Sequence, residues 1–276
     1  MRKIKLFNPA EKIDAVLSFF AGKPAEKILS TSVFFEKAGL FGLLLASVFV
    51  VILAAKVISA GFSANLCLLI MFLAVAGCIF LHYVSYTVLP MLRRLIEKTP
   101  TKLSSDGILK VLALFFGFWG VLALSFGIYS AYKPERIELL GLFLFEIKNV
   151  LLPCLFVFVF CEFWMFLMLR PAFLNVEITE ETTVAEDFIG FLSLFAKGCL
   201  RFTPIVFGTV IVAACLLLAN MLWSASGIVY FRLTAVAFFY AGLLPLMMYV
   251  SFLSYYFVLD LVMGFIASLK RQKRSE

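Results

Sequence analysis

Read for apolar and polar positions, the chain divides near residue 40. Beyond that point six long apolar runs, about residues 40–60, 66–89, 108–131, 139–169, 202–223 and 233–260, alternate with short polar connections. A helix needs roughly 20 apolar residues to cross a hydrocarbon core of about 30 Å, and these runs reach or exceed that length. The fourth run is too long for one perpendicular crossing, so the pattern predicts either a strong tilt or an interfacial segment that turns inward near Pro153.

Ahead of residue 40 the period changes. "NPAEKIDAVLSFF" (residues 8–20) is followed by "KPAEKILSTSVFF" (residues 23–35), a near repetition fifteen residues on. In the first copy Asn8 suits an N-cap, Pro9 the first helical position, Glu11 a capping box and Gly22 a C-terminal cap. Ile13, Val16, Leu17 and Phe20 follow the i, i+3, i+4, i+7 rule of an amphipathic helix. The second copy sets Ile28, Phe34 and Phe35 on its apolar side and leads into the first run, while Gly22 and Pro24 break the two apart. A third such segment precedes the fifth run. There Thr183 and Glu186 form a capping box, and Val184, Phe188, Phe191 and Phe195 form the stripe. Helices of this kind lie in the headgroup region or pack on the bundle's own end, and amphipathicity alone leaves both open. In the first case Phe19, Phe20, Phe34 and Phe35 are the membrane-surface anchors.

Composition turns these runs into a class. At 63% hydrophobic, with 33 Phe and a mean hydropathy of +1.06, the chain carries more apolar side chain than one soluble core of 276 residues can hide. Barrel strands would be about 10 residues long and alternating. The expected fold is therefore all-α, a polytopic transmembrane helical bundle of six spans with cytoplasmic amphipathic interfacial helices. Its segments are an N-terminal amphipathic part (1–38), the transmembrane domain (39–268) and a basic tail (269–276). The six cysteines lie in or beside apolar runs with no CxxC pair, which predicts small buried hydrophobes rather than disulfides or a metal site. The polar segment ahead of the first run argues against a cleaved signal peptide.

Charge sets the orientation. With the N-terminus inside, nineteen of the 24 Lys and Arg fall on the inner side, and Lys56, Lys133, Arg136, Lys148 and Arg232 remain outside. Both termini are thus expected to be cytoplasmic, in a cell (inner) membrane. The net charge of +7 needs no nucleic acid, because the basic residues sit where membrane anchors sit, without a Gly-rich loop or interleaved aromatics.

Ionisable residues at membrane depth are costly and call for a reason. Counted from the inner edge, His82, Glu162 and Asp260 lie roughly 12 to 16 Å inward on spans two, four and six. One account makes them a relay or cation layer with Arg201 as counter-charge. The other gives each a local role: His82 bonded to a neighbouring helix, Glu162 paired with Arg170 or Arg201, and Asp260 at an interface. Gly117, Gly120 and Gly127 mark the third span as a helix-packing surface. No HExxH, GxSxG, P-loop or headgroup-facing DxD occurs, and one histidine leaves little for metal or triad chemistry. A non-enzymatic protein without cofactors or metal is expected.

Two short stretches resemble known families. "LFNPAEKIDAVLSFF" is similar to the proline-then-amphipathic-helix opening of Yip-type membrane proteins. "TTVAEDFIGFLSLFAKG" (182–198) resembles the segment that opens spans in the membrane domain attached to some glycerophosphodiester phosphodiesterases. Each covers under a tenth of the chain. Six spans depart from the usual five-span Yip pattern, and no phosphodiesterase domain is present. Together they imply a role in membrane organisation, in trafficking or as an accessory subunit; the expected partners are the bilayer and a protein partner or second copy of the chain. The competing class is a transporter or channel subunit built on the His82, Glu162 and Asp260 layer.

Overall fold

The structure is a computed structural model that describes residues 9–22, 27, 30–131, 150–179, 183–223 and 228–275. Expectations resting on Asn8, Pro24, Ile28, Lys133, Arg136 and Lys148 lie outside those residues, as do those on the side chains of Glu11, Arg232 and the basic tail. Seven α-helices are described: α1 (Pro9–Ala21), α2 (Ser32–Ser59), α3 (Ala64–Lys98), α4 (Gly107–Ala131), α5 (Leu152–Leu169), α6 (Val184–Trp223) and α7 (Ile228–Ser275). Six of them, α2 to α7, are long and apolar enough to cross a membrane.

Their surfaces agree with that solvent. Phe41, Phe72, Phe118 and Phe126 are exposed, and in each of the six spans less than half of the most apolar stretch is buried. A row of exposed rings of this kind is stable against hydrocarbon, where the intrahelical bonds satisfy the backbone and water is absent. The chain is a polytopic helical membrane protein.

It folds as two compact units, one of residues 1–30 and 100–191, the other of residues 31–99 and 192–276. In the second unit α2 and α7 pack against α3, and α6 from Leu192 onward closes the core. Leu43, Leu89, Leu92, Phe207, Ile211 and Leu218 fill it. Gly208 lets the α6 backbone meet the backbone of Phe35, where a Cβ has no room. Polar bonds pin the helices in register. Ser85 Oγ donates to the Gly242 carbonyl (3.1 Å), and Lys56 Nζ donates to the Leu222 carbonyl (2.7 Å) in the last turn of α6, where a cation suits the helix end.

In the first unit α4 packs along α5, and α1 lies on the end of α5. α5 begins at Leu152 with Pro153 in its first turn, the position that tolerates a missing N–H. A single 3-10 turn (Pro171–Leu174) follows, and Asn175 then takes a left-handed conformation (φ 52°) that asparagine accepts better than most residues. This turn delivers β2 (Val176–Ile178) beside β1 (Thr101–Leu103), parallel and in register Thr101 to Val176. The two-stranded pair adds to the helical architecture that the hydropathy pattern predicts. Three residues are too few to give a period of two, which is why the pattern passes over it.

α6 and α7 extend furthest beyond the apolar runs that announce them. α6 takes the amphipathic segment and the fifth span into one 40-residue helix, and α7 runs for 48 residues through the tail. Pro204 and Pro245 lie inside these helices, and Pro90 lies inside α3.

Candidate functional site

α1 is seated by few side chains. Leu17 is 5% exposed, and Phe20 meets Phe166 of α5 edge to face at 6.3 Å between ring centres. Arg170, just past α5, donates its Nε–H to the Ala21 carbonyl at the C-terminal end of α1, where a cation suits the helix dipole. Gly22 ends the helix with an N–H bond to the Phe19 carbonyl (3.2 Å), a tight final turn rather than a left-handed cap. The flank of α1 running from Ile13 through Val16 to Phe19 is apolar and open: all three are exposed, Phe19 at 69%.

Between α1 and the neighbouring ends of α4 and α5 runs an open groove of about 580 Å³. Leu17, Leu109 and Met168 make its floor, and Asp14, Asp106 and Lys110 line its wall. Lys110 Nζ stands 3.1 Å from Asp106 Oδ2 and 3.9 Å from Asp14 Oδ1. All three side chains keep about half their surface in solvent, so these pairs are each worth no more than about 1 kcal/mol.

The beginning of α6 is held by polar contacts instead. Thr183 and Glu186 form the reciprocal capping box, with the Thr183 N–H donating to Glu186 Oε2 (2.8 Å) and the Glu186 N–H to Thr183 Oγ1 (3.4 Å). Asp187 accepts from the backbone N–H (2.7 Å) and the hydroxyl of Ser104, just after β1. One turn on, Gly190 sits against the Lys102 carbonyl of β1. Within the second unit Ser193 and Tyr256 share a hydroxyl bond, and Lys197, wholly buried, donates to the carbonyl of Thr99 at the C-terminal end of α3. Arg93 of α3 pairs with Glu36 of α2.

The residues proposed for a polar layer fall as follows. His82 Nδ1 is 3.0 Å from the Leu40 carbonyl of α2, and its ring stacks on Tyr86. Glu162 is half-buried on α5, with its carboxylate against Gly120 of α4. Asp260 is exposed on α7, and Arg201 is half-buried on α6. His82, Asp260 and Arg201 belong to the second unit and Glu162 to the first. None of His82, Glu162 and Asp260 lines the groove. Gly117, Gly120 and Gly127 all face α5, against Met165, Glu162 and Cys154 respectively. Phe34 is exposed and Phe35 half-buried in the first turn of α2. Among the described residues no group of three His, Cys, Asp or Glu can hold a metal ion.

Buried Lys197 and the Asp187 clasp escape sequence reasoning, because a basic residue after an amphipathic stripe reads equally as a membrane-surface charge. Compared with family models, curated proteins and solved structures, the chain matches none.

Proposed function

We propose that the protein is a non-enzymatic membrane organiser or accessory subunit, multi-pass in a bacterial-type inner membrane with both termini cytoplasmic. The observation that carries this reading is α1: a preformed amphipathic helix, anchored by Leu17, Phe20 and the Arg170 bond, that leaves Ile13, Val16 and Phe19 exposed along one flank. Such a face binds a bilayer surface or a partner helix without any chemistry. The excess of Lys and Arg on one side supports the orientation, and the weak likeness to Yip-type proteins points the same way.

Purification in mild detergent followed by identification of co-purifying chains, alongside ion flux in liposomes, tests the role. A stoichiometric partner or a stable homo-oligomer with no flux is the expected result. Monomeric protein that by itself moves an ion, with flux lost in Glu162→Gln, overturns the reading in favour of transport. Cysteine labelling from the two sides of intact cells checks the orientation.

A further inference from the structure

We infer that the groove beside α1 binds the headgroup of a phospholipid carrying a primary ammonium, of the phosphatidylethanolamine type. The groove's volume of about 580 Å³ lies within the 300–1,000 Å³ range of small-molecule sites. Its charges are two carboxylates, Asp14 and Asp106, around one ammonium, Lys110. An anionic headgroup meets a net negative wall there. A zwitterion fits: its phosphate takes Lys110, and its ammonium takes the two carboxylates. A primary ammonium donates up to three N–H bonds to carboxylate oxygens, whereas a quaternary one donates none. The existing pairs are half-exposed and weak, so opening them to admit the zwitterion costs little.

The lipid, rather than a free phosphoamine, is favoured by what lies next to the site. Lys110 is in the first turn of the span α4. Immediately beyond it Val111, Leu114, Phe115 and Phe118 form an exposed apolar strip down the same helix. A headgroup held at Lys110 therefore has its acyl chains laid on that strip, while the buried Leu17, Leu109 and Met168 give the groove an apolar floor beneath the charged wall.

Native mass spectrometry of the detergent-purified protein, with phosphatidylethanolamine, phosphatidylcholine and phosphatidylglycerol of matched chains in competition, tests this. Loss of the charged N–H bonds predicts about tenfold weaker retention of the choline lipid than of the ethanolamine lipid. In Asp14→Asn/Asp106→Asn that difference should vanish, while Lys110→Gln should weaken both zwitterionic lipids alike. α1 stays seated in these variants through Leu17, Phe20 and Arg170, which a thermal melt verifies. A second arm needs no variant. Mono- and dimethylated ethanolamine lipids on the unaltered protein should bind progressively more weakly, and a flat series overturns the proposal. Equal retention of the three lipids also overturns it, as does an ethanolamine preference that survives the double substitution. Displacement of the lipid by an equal concentration of soluble phosphoethanolamine would assign the groove to a free metabolite instead and end the lipid reading.

Discussion

α1 and the first turns of α6 are two copies of one message with different outcomes. Ala10, Glu11, Leu17, Ser18, Phe20 and Ala21 recur, in the same spacing, as Ala185, Glu186, Leu192, Ser193, Phe195 and Ala196. Both segments form amphipathic helix. Yet α1 stops after 13 residues and leaves an open groove at its flank, whereas α6 is clasped at β1 and continues into a span. The positions that differ account for this. Where α6 has Gly190 against the Lys102 carbonyl, α1 has Ala15 on the groove. Where α6 has Lys197, bonded to Thr99, α1 has Gly22, at which the helix ends. Ser193 reaches Tyr256, but Ser18 turns back to the Ala15 carbonyl of its own helix (2.8 Å). The amphipathic stripe makes a helix; residues off the stripe decide what it is joined to.

The largest test of that contrast is Lys197→Met, which keeps the length of the side chain and removes its charge and donors. The Thr99 carbonyl at the end of α3 loses a charge-assisted bond from a buried side chain, and the expected loss of stability is about 3 kcal/mol. Denaturant unfolding in mild detergent measures it, and a loss under about 1 kcal/mol would remove Lys197 from the account. Gly190→Ala comes next, since it writes the α1 residue into α6. Its Cβ is driven onto the Lys102 carbonyl, so overpacking of about 2 kcal/mol is expected. The reciprocal Ala15→Gly touches only open groove and should cost no more than the helix-propensity difference of about 1 kcal/mol. If the two substitutions cost the same, the clasp at β1 is not what separates the copies.

Phe20→Ser should act locally. It removes the edge-to-face contact with Phe166 and part of the seat of α1, a loss of about 1 to 2 kcal/mol. The seat is small, so hydrogen exchange should speed along Pro9–Ala21 while the exchange of α4 and α5 stays as it was. Faster exchange spread through α5 would mean that α1 braces the bundle rather than resting on it.

How much of this was legible in the sequence follows the length of each signal. Six runs of about 20 apolar residues or more announce six spans, because burying that much apolar surface in lipid dominates every local preference. The Thr183 and Glu186 capping box is local chemistry at fixed spacing, and the structure has it. Likewise Gly117, Gly120 and Gly127 lie on one face because a helix has a fixed pitch, and α5 is the neighbour they meet. What escapes the sequence is long-range. The register of "TKL" on "VEI", Asp187 at Ser104 and Lys197 at Thr99 each join residues more than 70 positions apart, and nothing in either partner's surroundings names the other. Depth estimates for His82, Glu162 and Asp260 could not say that Glu162 belongs to a different unit from the other two, since depth fixes one coordinate of three.

Phe19→Ser gives the smallest effect on folding and the most direct information on what α1 faces. Phe19 touches Phe20 but is 69% exposed, so unfolding free energy should change by less than about 0.5 kcal/mol. In liposomes, however, a phenyl ring turned toward the interface contributes burial energy that serine does not, on the order of 2 kcal/mol. A nitroxide at Val16, on the same open side, should therefore show a shallower immersion depth in Phe19→Ser than in the parent, with no shift for the protein in detergent. An unchanged depth would mean that the open side of α1 does not rest on lipid. The same label then broadening by spin–spin contact would point to a second copy of the chain covering Ile13, Val16 and Phe19.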